Sequence, residues 1–148
     1  RGFMSNIINP IDLTSELIQC KSITPKSEGS LDIIISYLEP LGFNCERIDF
    51  GEGIEKVENL YARFGNIEPN IAFAGHVDVV PTGDINKWSI NPFSGEVKEG
   101  KVWGRGAADM KSGIAAFIAA VSDFLNSIGF KLLTSTEFKL MPLNLIPS

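Results

Sequence analysis

Residues Phe73 to Gly113 read FAGHVDVVPTGDINKWSINPFSGEVKEGKVWGRGAADMKSG, and they contain the clearest structural pattern of the sequence. It begins inside an apolar run, Ile71 to Ala74, that is typical of a strand covered on both faces. It ends in a segment, Asp109 to Asn126, whose apolar residues recur at helical spacing and line one face. A buried strand followed by an amphipathic helix predicts a layered α/β domain.

The flanking sequence predicts further helices and strands around this unit. Asn9-Pro10 marks a helix start, because proline is favoured in the first turn of a helix. Ser30 is predicted to cap a second helix that ends before Gly42, a residue able to take a positive φ. Strands and a hairpin are predicted at Phe43 to Phe50, Leu60 to Phe64, Asn70 to His76, Gly95 to Trp103 and Phe130 to Thr134.

The composition bounds the class of protein. A chain of 148 residues, 44% of them hydrophobic, can bury the core of one ordinary domain. Its formal net charge of -5 argues against a nucleic-acid partner, which would need a basic face. No apolar run approaches the ~20 residues of a membrane span. Cys20 and Cys45 are too few for a disulfide framework and are expected to be free thiols, so a cytoplasmic protein is predicted.

His76 and Asp78 follow the apolar run and form the first candidate site. On a strand, residues two apart point to the same face, and open α/β sheets bind ligands at the carboxyl ends of their strands. A metal-binding histidine usually donates its other ring N–H to a carboxylate or carbonyl, a role that suits Asp78. The alternative is a structural hydrogen-bonded pair without metal. Because His76 is the single histidine of the chain, a three-histidine site is excluded.

The glycine-rich segment Gly104 to Gly113 forms the second candidate site. A Walker loop needs glycine where Met110 stands, and a dinucleotide fingerprint needs glycine where Asp109 stands. Both phosphate-binding interpretations therefore fail. Asp109 instead places a carboxylate just before a helix. It is either a helix N-cap, the usual role of aspartate at that place, or a ligand.

Together these segments resemble a known family. The blocks H-V-D-V-V-P-x-G, K-W-x-x-x-P-F and G-R-G-A-A-D-M-K-S-G match, in order and spacing, the zinc-dependent amidohydrolases that include succinyl-diaminopimelate desuccinylase, acetylornithine deacetylase and aminoacylase. The S-I-T-P at Ser22 to Pro25 and the N-L-Y-A at Asn59 to Ala62 also fit. The resemblance covers Leu13 to Leu125, and the double alanine before Asp109 is closest to the desuccinylase branch.

The resemblance implies a fold, a metal site and a reaction. The fold would be an incomplete zinc-peptidase-like catalytic domain of α/β class, with a mixed sheet flanked by helices. His76 would bind one zinc, Asp109 would bridge two zincs, and Asp78 would orient His76; cobalt may substitute in the family. A cis peptide would follow Asp109. The reaction would be removal of succinate from N-succinyl-LL-2,6-diaminopimelate, a small-molecule substrate on the path to lysine.

The sequence departs from the family pattern after Leu125. Glu137 falls where the family has its catalytic base, but Phe138 replaces the zinc ligand that should follow; a solvated residue is the alternative reading of Glu137. Residues 5–136 are therefore expected to form the N-terminal part of a metallohydrolase catalytic domain. Residues 137–148 are expected to be an irregular tail of a truncated or frameshifted chain. The chain as a whole is expected to bind metal weakly and to have little activity. The family's dimerising domain is missing.

Three hypotheses remain open at this stage. The chain is a hydrolase domain, partial or completed by another chain, with desuccinylase, acetylornithine deacetylase or dipeptidase activity. Alternatively, it is a non-catalytic remnant that keeps the α/β fold. The third hypothesis, an unrelated nucleotide-binding module, is disfavoured by the glycine spacing.

Overall fold

The structure is a computed structural model that describes residues 7–66, 68, 70–127 and 137–142, the last range as backbone. Its helices are α1 (Pro10–Gln19), α2 (Ser30–Leu38) and α3 (Ser112–Ser127). Its strands are β1 (Asn44–Phe50), β2 (Val57–Phe64), β3 (Asn70–Gly75), β4 (Val97–Lys98), β5 (Lys101–Val102) and β6 (Glu137–Pro142). The predicted order of helices and strands up to α3 is confirmed.

Four strands form a mixed sheet in the order β1-β2-β6-β3. β1 and β2 are antiparallel, with Asn44 opposite Arg63. β6 runs antiparallel to β2 and parallel to β3, with Asn70 opposite Glu137 and Gly75 opposite Pro142. β4 and β5 form a separate two-stranded hairpin. The predicted α/β class with a mixed sheet is confirmed.

Local sequence explains how the first two helices begin and end. The Asn9 side chain accepts a hydrogen bond from the Ile11 N–H at 2.9 Å, and Pro10 occupies the first helical position. The prediction that Ser30 caps α2 is wrong, because Gly29 is the N-cap and Ser30 is already helical and buried. After α2 a short 3-10 turn ends at Gly42, whose φ of 94° confirms the predicted left-handed position.

The hydrophobic core lies between the helices and one face of the sheet. Two aromatic pairs lie in this core. Phe43, just before β1, and Phe64 of β2 have ring centroids 5.6 Å apart, and Phe73 of β3 stacks on Phe117 of α3 at 4.6 Å. The buried apolar side chains of this core include Leu13, Leu17, Leu31, Ile34, Leu38, Leu60, Ala62, Ile114 and Ile118. This packing holds the carboxyl end of β3 beside the start of α3.

The expectation that β3 is covered on both faces is wrong for the described residues. Phe73 packs against α3, but Ala72 and Ala74, which point to the opposite face, are exposed, and Ile71 is 55% exposed. An apolar run on a strand shows that both faces suit burial, but it does not show that a second layer is present. Here the described helices supply only one layer.

The expectation of an irregular tail at 137–148 is wrong over Glu137–Pro142, which form β6 between β2 and β3. These residues form a strand because β2 and β3 each present a row of backbone N–H and C=O groups, and a segment between them can pair with both. Residues 143–148 and the predicted strand Phe130 to Thr134 lie outside the described residues. Within the described part of the chain, no helix has both the length and the apolar character needed to cross a bilayer.

Candidate metal site

His76 directly follows Gly75, the last residue of β3, at the carboxyl edge of the sheet. Its side chain is 29% exposed. Its Nδ1 lies 2.9 Å from the backbone carbonyl oxygen of Asp78 and 3.5 Å from Asp78 Oδ1. The carbonyl is therefore the closer partner of Nδ1, and the carboxylate is only a secondary one.

Asp78 is buried and held by the segment that follows α1. Thr24 Oγ1 donates a hydrogen bond of 2.6 Å to Asp78 Oδ2. The backbone of Val79 pairs on both sides with this segment, donating to the Ser22 carbonyl at 2.8 Å and accepting from the Thr24 N–H at 3.1 Å. The S-I-T-P motif thus fixes the segment that carries His76. We had not assigned Thr24 a role from sequence, although its motif was part of the resemblance.

Asp109 lies in a wide turn, Ala107–Lys111, that leads into α3. Its φ of -131° and ψ of 98° are extended, and the peptide bond to Met110 is cis, as the resemblance implied. Because α3 begins only at Ser112, Asp109 is not its N-cap, and the capping alternative is wrong. Its carboxylate is 86% exposed, and Oδ1 lies 3.1 Å from His76 Nε2.

The two ring nitrogens of His76 both face oxygen acceptors. In a neutral imidazole one nitrogen carries a hydrogen and the other a lone pair. With the hydrogen on Nδ1, donated to the Asp78 carbonyl, the Nε2 lone pair points at the Asp109 carboxylate. Two ligands of a tetrahedral zinc, each about 2.0–2.2 Å from the ion, lie roughly 3.3 Å apart. The observed 3.1 Å therefore fits a single cation held between His76 and Asp109.

The chain is also similar in sequence to known metal-dependent hydrolases. Residues 72–133 match the pattern described as Peptidase family M20/M25/M40. This segment is similar to that peptidase family. A succinyl-diaminopimelate desuccinylase of Rhodospirillum centenum is 56% identical over 122 residues, which are 82% of this chain and 32% of that protein. One from Caulobacter vibrioides is 51% identical over 133 residues, 88% of this chain and 33% of that protein. The chain thus spans about a third of the length of these curated relatives.

Solved M20 structures share the fold. Human carnosine dipeptidase 1 superposes with a TM-score of 0.69 at 24% identity, covering 92% of this chain and 33% of that one. The M20 family metallo-carboxypeptidase Sso-CP2 from Sulfolobus solfataricus gives a TM-score of 0.71 at 22% identity, covering 90% and 30%. The predicted resemblance and fold class are confirmed, and the M20 family implies a divalent metal.

The described residues do not assemble a complete metal site. Across the ranges that the structure describes, no group of three or more histidine, cysteine, aspartate or glutamate side chains is placed to hold one metal ion. His76 and Asp109 are two candidate ligands, whereas catalytic zinc sites usually have three protein ligands. The pair fits a metal, and a complete site needs further donors.

The structure does not bring Glu137 to this site, which corrects the expectation that it stands in the place of the base. Glu137 pairs with Asn70 at the start of β3, six residues before His76. At a rise of about 3.3 Å per residue, the backbone separation along the sheet is ~20 Å. Because β6 is parallel to β3, it is Pro142, opposite Gly75, and not Glu137 that lies at the site edge.

Lys111, at the end of the Asp109 turn, is a further residue near the site to which our sequence analysis gave no role. Its side chain is fully buried, and its Nζ donates hydrogen bonds to the carbonyl oxygens of Leu17 at 2.7 Å and Cys20 at 3.0 Å. Burial lowers the pKa of Lys111 to about 8, although Cys20 and the negative charge of Asp78 act in the opposite direction. Lysines are mostly exposed, so hydrophobic periodicity predicts a surface position for Lys111, and the sequence alone does not indicate that it is buried.

Proposed function

We propose that this chain supplies the N-terminal part of the catalytic centre of a metal-dependent amide hydrolase of succinyl-diaminopimelate desuccinylase type. The proposed reaction removes succinate from N-succinyl-LL-2,6-diaminopimelate. The observation that carries the proposal is the convergence of His76 Nε2 and Asp109 Oδ1, two lone-pair donors 3.1 Å apart at the carboxyl edge of the sheet. The names of the curated relatives support the choice of substrate.

Each residue of the site has a proposed role. His76 and Asp109 are the proposed metal ligands, and Asp109 would bridge to a second ion. Asp78 holds the His76 ring through its backbone carbonyl and is itself held by Thr24. The metal is zinc, for which cobalt may substitute; when bound, it polarises an amide carbonyl and lowers the pKa of a water.

The proposal includes a limit on what this chain does alone. Two ligands predict weak metal binding. The general base that takes a proton from water is proposed to come from another segment. We further propose a cytoplasmic protein, consistent with the free and half-buried Cys20 and Cys45, with no nucleic-acid or membrane partner. Dimerisation is proposed only for complete relatives.

Zinc titration by calorimetry tests the metal site. We expect one weakly bound zinc per chain, with His76→Ala and Asp109→Asn each lowering the affinity at least roughly tenfold. Asp123→Asn, a change at an exposed position of α3, is the matched control and should leave binding unchanged. Zinc binding that is equal in all four proteins would refute the assignment of His76 and Asp109.

Complementation tests the reaction. The chain is mixed with a separately produced polypeptide corresponding to the remaining two thirds of the Rhodospirillum centenum desuccinylase, and succinate release is measured. We expect turnover only in the mixture, and none when His76→Ala is used. N-acetylornithine serves as the competing substrate; preferential hydrolysis of that compound would reassign the chain to a deacetylase type.

The second candidate function is a non-catalytic remnant of the same fold. The observation that favours it is the pair of ligands where a catalytic zinc needs three. A folded chain with neither zinc binding nor turnover in the complemented mixture would support this second candidate and overturn the first.

A further inference from the structure

Lys111 is an unusual residue for the interior of a protein. Its side chain is the largest of those that are fully buried in the described structure. Moving an ammonium group out of water is costly unless it is paired and hydrogen-bonded, so buried lysines are rare. A neutral apolar residue of similar length would fill the same space without that cost, and packing alone therefore does not explain a lysine here.

The hydrogen bonds of Lys111 join two distant parts of the chain. Its Nζ donates to the carbonyl oxygens of Leu17 and Cys20, which are 94 and 91 residues away in sequence. These carbonyls belong to the end of α1, where helical carbonyls lack intrahelical partners and the helix dipole is negative. The last turn of α1 contains no basic residue of its own. Lys111 supplies the missing cation and donors.

The same residue closes the turn that carries Asp109. The Lys111 backbone N–H donates to the Gly106 carbonyl at 3.0 Å, and between these residues Asp109 and Met110 have non-helical backbone angles. Gly106 is packed so closely on Val79 that a Cβ at this position would overlap Val79 Cγ1. The turn is therefore fastened at both ends, with Asp109 between them.

Charge also links Lys111 to the support of His76. The negative charge of Asp78 favours the protonated form of Lys111 and opposes the effect of burial on its pKa. Asp78 is the residue whose backbone carbonyl holds His76 Nδ1. The hydrogen bonds of Lys111 thus reach α1 and the turn that carries Asp109, and its charge interacts with Asp78.

We propose that Lys111 is a positioning residue of the metal site: by fastening the Asp109 turn to the end of α1, it holds the Asp109 carboxylate opposite His76. The proposal rests on the proposed function for its metal, but the placement of Asp109 beside His76 is a property of the metal-free chain. Lys111 does not touch the metal or the substrate in this scheme; it acts through Asp109.

The test uses the single histidine of the chain as a reporter. The ring signals of His76 are recorded by nuclear magnetic resonance in metal-free wild type and in Asp109→Ala, and the difference between them defines loss of the carboxylate from Nε2. Lys111→Met, which keeps the length but removes the charge and the donors, is expected to shift the His76 signals toward those of Asp109→Ala. Lys101→Met, at an exposed lysine of β5, is the matched control and should match wild type.

Cobalt binding, followed by visible absorption, is the second readout. We expect Lys111→Met to weaken cobalt affinity roughly tenfold or more, as loss of a ligand's support usually does, and Lys101→Met to leave it unchanged. A lower melting temperature of Lys111→Met with unchanged His76 signals and unchanged cobalt affinity would mean a structural role only, and would overturn the proposal. Wild-type signals equal to those of Asp109→Ala would overturn it as well.

A measurement on wild type alone covers the case in which Lys111→Met does not fold. If Lys111 connects Asp109 to α1, cobalt binding should slow hydrogen exchange of the Lys111 amide and of the amides in the last turn of α1, relative to those of α2. Cobalt binding without that slowing would refute the positioning role. If wild type binds no cobalt but its His76 ring signals differ from those of Asp109→Ala, the proposed function is contradicted. The placement of Asp109 by Lys111 is then judged from the ring signals alone.

Discussion

At the scale of single residues, the site is built from side chains whose partners lie far away in sequence. His76 and Asp109 were both candidates from their motifs, because a histidine at a strand end and an aspartate before a helix are visible locally. Thr24 and Lys111 were not, because their roles come from contacts with Asp78 and with the end of α1 that no local pattern reveals. Sequence thus predicted the two residues that meet at the candidate site and missed the residues that hold them.

The hydrogen bond from Thr24 to Asp78 predicts a measurable loss of stability on its removal. Thr24→Val removes the hydroxyl but keeps the shape, and leaves Asp78 Oδ2 without that donor in a buried position. We expect the free energy of unfolding to fall by about 1–3 kcal/mol in urea titrations, because hydrogen bonds to charged groups have that magnitude. Thr24→Ser keeps the hydroxyl and should lose less than half as much; equal losses would show that the hydroxyl is not the cause.

The thiol of Cys45 predicts a pH dependence of stability. Burial in the β1 layer, and secondarily the negative charge of Glu39, raise the pKa of Cys45 above its ordinary value of 9.0. The folded state therefore keeps its proton where the unfolded state has lost it, so the free energy of unfolding should fall as pH rises above 9. Cys45→Ala should flatten that part of the curve measured by urea unfolding; an identical slope in both proteins would contradict this origin.

At the scale of elements, positions of helices and strands were predictable, and their exact junctions were not. The sequence periodicity places the start of α3 at Asp109. The helix starts at Ser112, because Asp109 and Met110 take non-helical backbone angles in the preceding turn. The pairing register of β6 was equally out of reach: Glu137 looked like the approach to an acidic pair, but hydrogen bonding places it beside Asn70. Register depends on neighbouring strands, which local composition does not report.

The turn before α3 predicts an unequal effect of two glycine substitutions. Gly106→Ala places a Cβ onto Val79 at a φ of +81°, whereas Gly83→Ala introduces one at a φ of +71° with nothing within 4 Å. We expect Gly83→Ala to cost about 1–2 kcal/mol, the usual penalty for a left-handed residue, and Gly106→Ala to cost clearly more. Thermal unfolding measures both, and equal costs would show that the Val79 contact relaxes freely.

At the scale of the whole molecule, the α/β class and the layer of helices followed from the sequence, while the central place of β6 did not. The segment EFKLMP contains a proline and shows no long period, so it looked like a tail. In the structure its backbone pairs with β2 on one side and β3 on the other. Its position depends on two strands more than 60 residues upstream, and that information is not in its own sequence.

The central position of β6 predicts that chain length controls folding. A chain ending at Thr136 lacks every pairing of β6, whereas one ending at Pro142 keeps them all. We expect the first to lose cooperative urea unfolding, because β3 is then separated from the rest of the sheet, and the second to unfold like the 148-residue chain. Circular dichroism at increasing urea concentration distinguishes the two. Cooperative unfolding of the shorter chain would show that the helices alone retain β3.

The place of β3 as the outermost strand has a practical consequence for handling the protein. In the described part of the chain, β6 is the only strand of the sheet that pairs with it, so its outer row of amides and carbonyls is a template onto which an extended segment of a neighbouring molecule can add. Samples concentrated for spectroscopy would then associate edge to edge, first as pairs and later as larger particles. Dilute solutions and a charged residue introduced at Ala72 would keep the molecules apart.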